Sequence, residues 1–474
     1  MKTNSWFSVT RRRLLGNALL GTGAFLAGCG FAYAGERIRR NGRVLLDGMP
    51  SIPKGLEDAL AFPLVEALLG RRSRRFPAGG SIPEGPFSYS SKKEPTPLGE
   101  LEEMLLLTAV AGNTGWQYLI PHNPNYVPQI PNYSVAAGGR TFPSAAGFHT
   151  TEFFFTNDDG VFYFPTRDAP SLLERDSNGA IDLKDYLSAH RLRIRELSNK
   201  RLHIPSTPQH MEMHNAWCAN QPGSTLIIPV ADAAQHHLAN LCYLVQNGAC
   251  IYDDISGDSI TGMDRFREIV DTENPYPLSF IEQMTLSEVT IEVSTSCYAG
   301  ALMLQALGLG GWTYGGLNPF SILGASGDPN VPGLGFRFDT DERWPLPNVT
   351  GRANVMEGFC PPRFKSMRQA VEALVERKFG EGGPYHQRTE GTYRQNASIR
   401  KLGEKHDEQF IECVATMAQH IFDRHGRFPA TFSSIFTMMY LQAHHLDCDY
   451  YDKYFGPGSY LHTHANHDQR WHSS

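Results

Sequence analysis

The chain has 474 residues, with 43 lysines and arginines against 49 aspartates and glutamates, for a formal net charge of -6. This balance excludes a protein that binds nucleic acid through an overall basic field, so any anion site must be local. With 19% charged and 41% apolar residues, the composition is that of a folded protein. The length allows one large domain with extensions, or two to three domains.

Residues 1–34 are predicted to be a targeting segment. The stretch TRRRLL, at positions 10–15, has the twin-arginine form, and an uncharged apolar run interrupted by glycines follows it. We therefore expect export to the periplasm or to the outer face of the membrane. Because the twin-arginine route carries folded proteins and is the usual route for those that take up a cofactor first, it already hints at a bound cofactor.

Three outcomes of this targeting remain open. The sequence LAGC, ending at Cys29, is similar to a lipobox, which would make the protein a membrane-anchored lipoprotein. The sequence AYA, ending at Ala34, is similar to a cleavage site that would release the chain. An uncleaved membrane span is the third, although the many glycines make it a poor one.

Cysteine is uninformative about the rest of the chain. Seven cysteines follow Cys29 without a CxxC pair, so neither a zinc ribbon nor a disulfide framework is indicated. Cys242 and Cys250 could pair in an oxidising compartment.

After a linker at 35–54, apolar residues at helical spacing predict a helix over 55–69. It leads into RRSRRF, at positions 71–76. A basic run is usually a solvated surface, yet guanidinium groups and a hydroxyl at a helix end are also the donors that a phosphate needs. A second amphipathic helix, over 98–110, runs into AGNTGW at positions 111–116.

The middle of the chain alternates strands and helices. Residues 151–156 and 161–164 are predicted to form a hairpin around Asp158-Asp159-Gly160, and 224–232 a buried strand. Apolar residues then repeat at helical spacing over 289–307, and a glycine-rich stop follows.

The last 89 residues, 386–474, hold ten of the eighteen histidines. We expect residues 427–447 to form a buried helix followed by a His-Asp-Tyr segment. His462, His464 and His467 could share a metal ion, and further candidates precede them. Those further candidates are His444, His445, Asp447 and Asp449. Because such histidines more often hydrogen-bond within a core, no metal ligand is assigned.

Five segments in chain order resemble the FMN-dependent nitroreductase family, nearest to its azoline-oxidising, thiazole/oxazole dehydrogenase-like branch. They are the segments 71–76, 111–116, 138–164, 289–316 and 360–375. The resemblance spans about 300 residues. It implies an α+β fold over 55–385, with a central, mainly antiparallel sheet flanked by helices, and it leaves 386–474 as a helical, His-rich C-terminal extension. The first motif is one residue shorter than the family's usual form, which leaves open which arginines face the phosphate.

The resemblance implies bound FMN, held by its phosphate at one end and by donors near the ring at the other. Glycine beside the flavin ring would let the main chain approach the ring closely. The implied cofactor-binding residues are Arg71, Arg72, Ser73, Arg75, Asn113, Pro143, Ser144, Gly310, Gly311, Arg363 and Lys365. No catalytic residue is assigned.

The function implied is that of an oxidoreductase which transfers hydride through FMN in ping-pong fashion. Its partners would be an electron donor, a small-molecule substrate that the sequence does not name, and a second copy of the chain in a homodimer with FMN at the interface. NAD(P)H is scarce outside the cytoplasm, which favours another donor for an exported enzyme. The alternative is an exported metal-binding or other binding protein on the same scaffold, acting through its His-rich C-terminus.

Overall fold

The computed structural model describes residues 53–120, 134–145, 147–167, 181–403 and 405–472. The twin-arginine segment, Cys29 and nearly all of the linker lie outside the described residues. In the described part of the chain, no helix combines the length and the apolar character that crossing a membrane requires.

The chain is a mixture of helices and strands. The helices are α1 (Lys54–Ala61), α2 (Leu64–Gly70), α3 (Glu100–Ala111), α4 (Leu183–Arg191), α5 (Ala233–Gln246), α6 (Leu278–Leu307), α7 (Pro319–Leu323), α8 (Met367–Phe379), α9 (Asn396–Arg400), α10 (Glu408–His425), α11 (Cys448–Tyr454), α12 (His462–Ala465) and α13 (His467–Trp471). The strands are β1 (Ser81–Ile82), β2 (Tyr89–Ser90), β3 (Asn113–Trp116), β4 (Gly138–Arg140), β5 (Thr151–Asn157), β6 (Gly160–Phe164), β7 (Arg195–Ser198), β8 (Thr225–Asp232), β9 (Ile251–Tyr252), β10 (Tyr276–Pro277), β11 (Gly310–Tyr314), β12 (Arg337–Asp339), β13 (Asn348–Arg352), β14 (Met356–Glu357), β15 (Ile435–Phe436) and β16 (Tyr440–His444).

The largest sheet has the strand order β11-β16-β8-β5-β6-β7, with β15 also paired to β8. Every pairing in it is antiparallel, as the resemblance implied. The predicted hairpin and the predicted strand over 224–232 are present as β5, β6 and β8. Both faces of this sheet are covered: Phe153 and Phe155 pack into a core with α3 and α6, and Phe154 packs into a second core on the other face.

Two predicted helices differ from what the structure shows. The helix predicted over 55–69 is divided at Phe62-Pro63 into α1 and α2, because proline cannot donate to the preceding turn. The buried helix predicted over 427–447 is wrong: its residues contribute β15 and β16, and β16 lies between β8 and β11. The C-terminal segment, 386–474, therefore supplies an inner strand of the sheet as well as the helices α9 to α13.

Helix α6 is the longest in the described chain, with 30 residues, and includes the helix predicted over 289–307. It packs along α3, and at their crossing a Cβ on Gly300 would come within 2.5 Å of Val110. The helix ends at Gly308, which has a left-handed φ of 72°, as the glycine stop predicted.

All seven cysteines in the described chain are free thiols. Cys242 and Cys250, which could have paired, are both buried and unbridged. Burial raises the pKa of each thiol to about 11.

Candidate functional site

The arginine-rich segment that follows α2 lies against the glycine exit of α6. Arg74 and Gly311 form an antiparallel bridge in which the N–H of Arg74 donates to the carbonyl oxygen of Gly311 at 3.1 Å, and the N–H of Gly311 donates back at 2.8 Å. The first and fourth segments of the resemblance, more than 230 residues apart in sequence, are therefore neighbours in space.

The four arginines of this segment have different surroundings. Arg74 points inward and is 2% exposed. Its guanidinium donates to Gln305 Oε1 and to two main-chain carbonyls, and burial lowers its pKa to about 10. Arg72 and Ser73 are exposed and Arg71 is half-buried, so these three residues leave donors at the surface beside the end of α2.

Arg75 occupies an aromatic enclosure next to them. Its guanidinium carbon lies 5.3 Å from the ring centroid of Trp217 and 5.0 Å from that of Trp312, within range of cation–π attraction. One nitrogen donates to Asn215 Oδ1 at 2.7 Å, whereas Nε is buried without a hydrogen-bond partner. Gly310 is also close to this region, since a Cβ there would lie 2.7 Å from His444 Nε2.

Asn113 and Ser144 are enclosed elsewhere in the fold. Asn113 starts β3, pairs with Arg140 on β4, and uses Oδ1 to accept from the N–H of Gly115 at 2.8 Å. Ser144 donates to Glu292 on α6 at 2.5 Å and accepts from the main chain of the loop that follows it. The neighbouring Pro143 is exposed.

Arg363 and Lys365 are both exposed. Arg363 donates to the carbonyl oxygen of Glu357 at 2.9 Å and lies over the ring of Phe359. Its positive charge also acts to lower the pKa of Asp232, at the C-terminal end of β8, against the larger rise that burial causes.

The predicted cofactor residues thus fall into two groups at opposite ends of β8. Gly311 pairs with Ala443 on β16, and Ala443 pairs in turn with Thr225, the first residue of β8. Ser144, Arg363 and the pair Asn113–Arg140 lie toward Asp232, at its other end. Eight residues of strand span about 23 Å. We call the first group the Arg71 group (Arg71, Arg72, Ser73, Arg75, Gly310, Gly311) and the second the Ser144 group (Asn113, Pro143, Ser144, Arg363, Lys365).

A buried basic cluster adjoins the Ser144 group. Arg140 donates to the carbonyl oxygens of Thr166 and Arg167, and Arg377 also donates to the latter. Arg167 forms an ion pair with Asp232 at 2.8 Å and approaches Glu152 to 3.7 Å. A further arginine, Arg193, lies near Arg140, and burial lowers its pKa to about 10.

His149 lies in the same region and carries two unusual features. Both ring nitrogens are buried without a hydrogen-bond partner, and its φ is 47°, which is strained for a residue with a Cβ. Burial holds its pKa well below the usual value. Of the basic cluster, only Arg140 lies within a segment of the resemblance, the one at 138–164. The other arginines belong to no motif and meet only through the fold.

A third arrangement lies at the C-terminal end of α6, where Glu102 is surrounded by His445, His467 and His472. Two of the histidines considered from sequence lie apart from it: His462 is exposed and lies 3.3 Å from Glu66, and His464 is buried with Nδ1 facing the N–H of Leu461. Of the other candidates, His445 joins the group, and Asp447 caps α11 instead.

Among known proteins, the chain shows a likeness to solved structures. No family model matches it, and no curated protein matches it in sequence. Among solved structures it is similar to a candidate nitroreductase from Ralstonia eutropha JMP134, at 12% identity and a TM-score of 0.24, over 62% of this chain and 83% of that one.

Proposed function

We propose that the protein is an FMN-dependent oxidoreductase of the nitroreductase type, which passes hydride between an electron donor and a small-molecule acceptor. The observation that supports this most is the bridge between Arg74 and Gly311. It joins two segments that resemble flavin-binding segments, at a place where surface donors, a buried guanidinium and close-packed glycine meet.

The residues of the Arg71 group fit FMN in part. Arg71, Arg72 and Ser73 offer guanidinium and hydroxyl donors of the kind that hold a phosphate. Arg75 has an Nε atom that lacks a hydrogen-bond partner, which a ligand acceptor could satisfy. The N–H of Gly311 does not fit, because Arg74 already accepts from it.

When bound, FMN supplies the two-electron chemistry. In this proposal, Arg71, Arg72 and Ser73 bind its phosphate. Arg75, held between Trp217 and Trp312, places a positive charge where a reduced, anionic flavin would be stabilised. Gly310 packs against His444, which fills the space that a side chain at this position would need, so we give this glycine no contact with the cofactor.

The Ser144 group lies toward the other end of β8 from the Arg71 group, so we do not assign both groups to one FMN within one chain. Arg363 and Lys365 are exposed and could reach a cofactor on a second copy, which agrees with the proposed homodimer. Asn113 and Ser144 are 1% and 3% exposed and are satisfied by internal partners, so we give them no role in binding. Export by the twin-arginine route, and a donor other than NAD(P)H, are proposed with this function.

The test is to purify the full chain, record its flavin absorption, and identify FMN released on denaturation. The double variant Arg72→Ala/Ser73→Ala should lose FMN, whereas Arg388→Ala, a matched change of an exposed arginine, should keep it. A colourless protein that takes up no added FMN would overturn the function. Full FMN occupancy in the double variant, with loss in Arg140→Lys, would overturn the location and point to the buried basic cluster.

A further inference from the structure

Four side chains from distant parts of the sequence converge at the C-terminal end of α6. Glu102 is in the first turn of α3, His445 follows β16 directly, and His467 and His472 lie at the two ends of α13. One ligand atom from each lies within 4.8 Å of all the others. No other group of this kind occurs among the residues that the structure describes.

The spacing of these atoms is close to that of a metal site. His467 Nε2 lies 2.8 Å and His472 Nε2 3.5 Å from Glu102 Oε1, and His445 Nε2 lies 3.7 Å from Oε2. In a tetrahedral zinc site with bonds of about 2.0–2.1 Å, neighbouring ligand atoms are about 3.3 Å apart. The observed distances bracket that value.

The tautomer of His467 directs its lone pair into this space. Its Nδ1 lies 2.8 Å from the carbonyl oxygen of Leu307, which can only accept, so Nδ1 is the donor. In the neutral form of the ring, Nε2 then carries a lone pair directed at a carboxylate oxygen, and a cation between these two acceptors would bind both. A main-chain carbonyl holding the far nitrogen of a histidine is the usual outer-shell arrangement of a metal ligand.

Burial makes the arrangement costly unless a cation lies within it. Glu102 Oε1, His445 Nε2 and His467 Nε2 are all buried, and none of them has a hydrogen-bond partner outside this cluster. The side chains of these residues are 2%, 7% and 5% exposed. Glu102 is held in place because its other oxygen accepts from the N–H of Gly99 at 2.5 Å. One proton could satisfy one imidazole, but three imidazoles around a single carboxylate suit a shared ion better.

We propose that Glu102, His445, His467 and His472 bind one divalent transition-metal ion of the zinc type. Imidazole and carboxylate are ligands that such ions accept. Four protein ligands leave no open position, so the role is structural: the ion fixes residues 445–472 to α3 and to the end of α6. His472, whose side chain is 39% exposed, forms the rim through which the ion enters.

The experiment uses the full chain, freed of any affinity tag, dialysed against ZnCl₂ and then against metal-free buffer. Elemental analysis should find about one zinc per chain. Because His472 is at the rim, His472→Ala should fold, and it should lose zinc affinity at least about tenfold, the lower limit seen when even an outer-shell partner is removed. The matched control is His462→Ala, which removes an exposed histidine outside the cluster and should keep the ion.

A second readout separates a metal from a shared proton. Chelation should lower the melting temperature of the wild type more than that of His472→Ala. Replacing zinc by Co²⁺ should give the visible absorption of a tetrahedral site in the wild type, and this absorption should change in His472→Ala, which lacks one ligand. Zinc below about 0.1 equivalent in the wild type, or equal zinc affinity of the wild type and His472→Ala, would overturn the site. Both outcomes are independent of whether FMN binds.

Discussion

The guanidinium of Arg74 donates a hydrogen bond from Nη1 to Oε1 of Gln305 at 2.6 Å, inside the protein. Gln305 is in the last turn of α6, so this bond ties the arginine-rich segment to the same helix end that the main-chain bridge with Gly311 contacts. Two further bonds from Arg74 reach the carbonyl oxygens of Gly70 and Ser459. This arginine is therefore a structural connection, and the surface arginines beside it are the ones that can meet a ligand.

Arg74→Ala should lower the free energy of unfolding by about 3 kcal/mol, because it leaves buried acceptors without their charged donor. Arg72→Ala should change it by less than about 0.5 kcal/mol, since Arg72 is exposed and bonds only to nearby main chain. Urea unfolding of both variants measures the difference. Equal stability of the two would show that Arg74 does not hold the segment in place.

The sequence predicts some elements of the fold and misses others. Local patterns predicted α3, β5, β6 and β8, because each depends on periodicity or turn chemistry within about ten residues. They did not predict β16, all five of whose residues are buried, Gln442 and His444 included. Burial on both faces of an inner strand removes the alternation that would have distinguished it from a buried helix.

The sites were harder still to predict. His467 was a candidate ligand from sequence, but its partner Glu102 is 365 positions away and carries no motif. RRSRRF was recognised as an anion-binding pattern, yet the pattern could not say that Arg74 would turn inward to meet Gln305. Such contacts are set by tertiary packing, which a single sequence does not reveal.

Ser144→Ala tests whether this serine has a structural role or binds the cofactor. The change removes the donor to Glu292 Oε1 and leaves the N–H groups of Phe148 and His149 without their buried acceptor, so it should cost about 2 kcal/mol of stability. FMN content should remain that of the wild type. Ser287→Ala, at an exposed position on α6, the helix that carries Glu292, is the control and should leave the stability nearly unchanged. Loss of FMN at unchanged stability would assign Ser144 to the cofactor.

Acid should destabilise the fold through histidines that are buried in the neutral form. Burial lowers the pKa values of His190, His237, His444 and His464 to about 3, against about 6.5 in the unfolded chain. Between these values the unfolded state binds protons that the native state does not. The stability contribution is therefore complete above pH 6.5 and is lost as the pH falls toward 3.

Each such histidine should add about 1.4 kcal/mol per pH unit to the slope of stability in this window. His237→Gln should reduce the slope by about that amount, whereas His203→Gln, at an exposed position, should not change it. Urea unfolding at a series of pH values between 7 and 4 gives the slopes. Identical slopes for the wild type and His237→Gln would contradict the neutral, buried state of His237.

Gly308→Ala tests the junction between α6 and the C-terminal helices. Both Gly308 and the exposed Gly458 have left-handed φ values, 72° and 85°, so alanine at either position should cost about 1 kcal/mol in backbone strain. A Cβ on Gly458 would meet open space, but one on Gly308 would lie 2.3 Å from the carbonyl oxygen of Thr463. That main chain must move to relieve the collision, which adds about 1–3 kcal/mol. Thermal or urea unfolding of the two variants should therefore show a clearly larger loss for Gly308→Ala. Equal losses would mean that the α6 exit is not packed against the segment carrying Thr463.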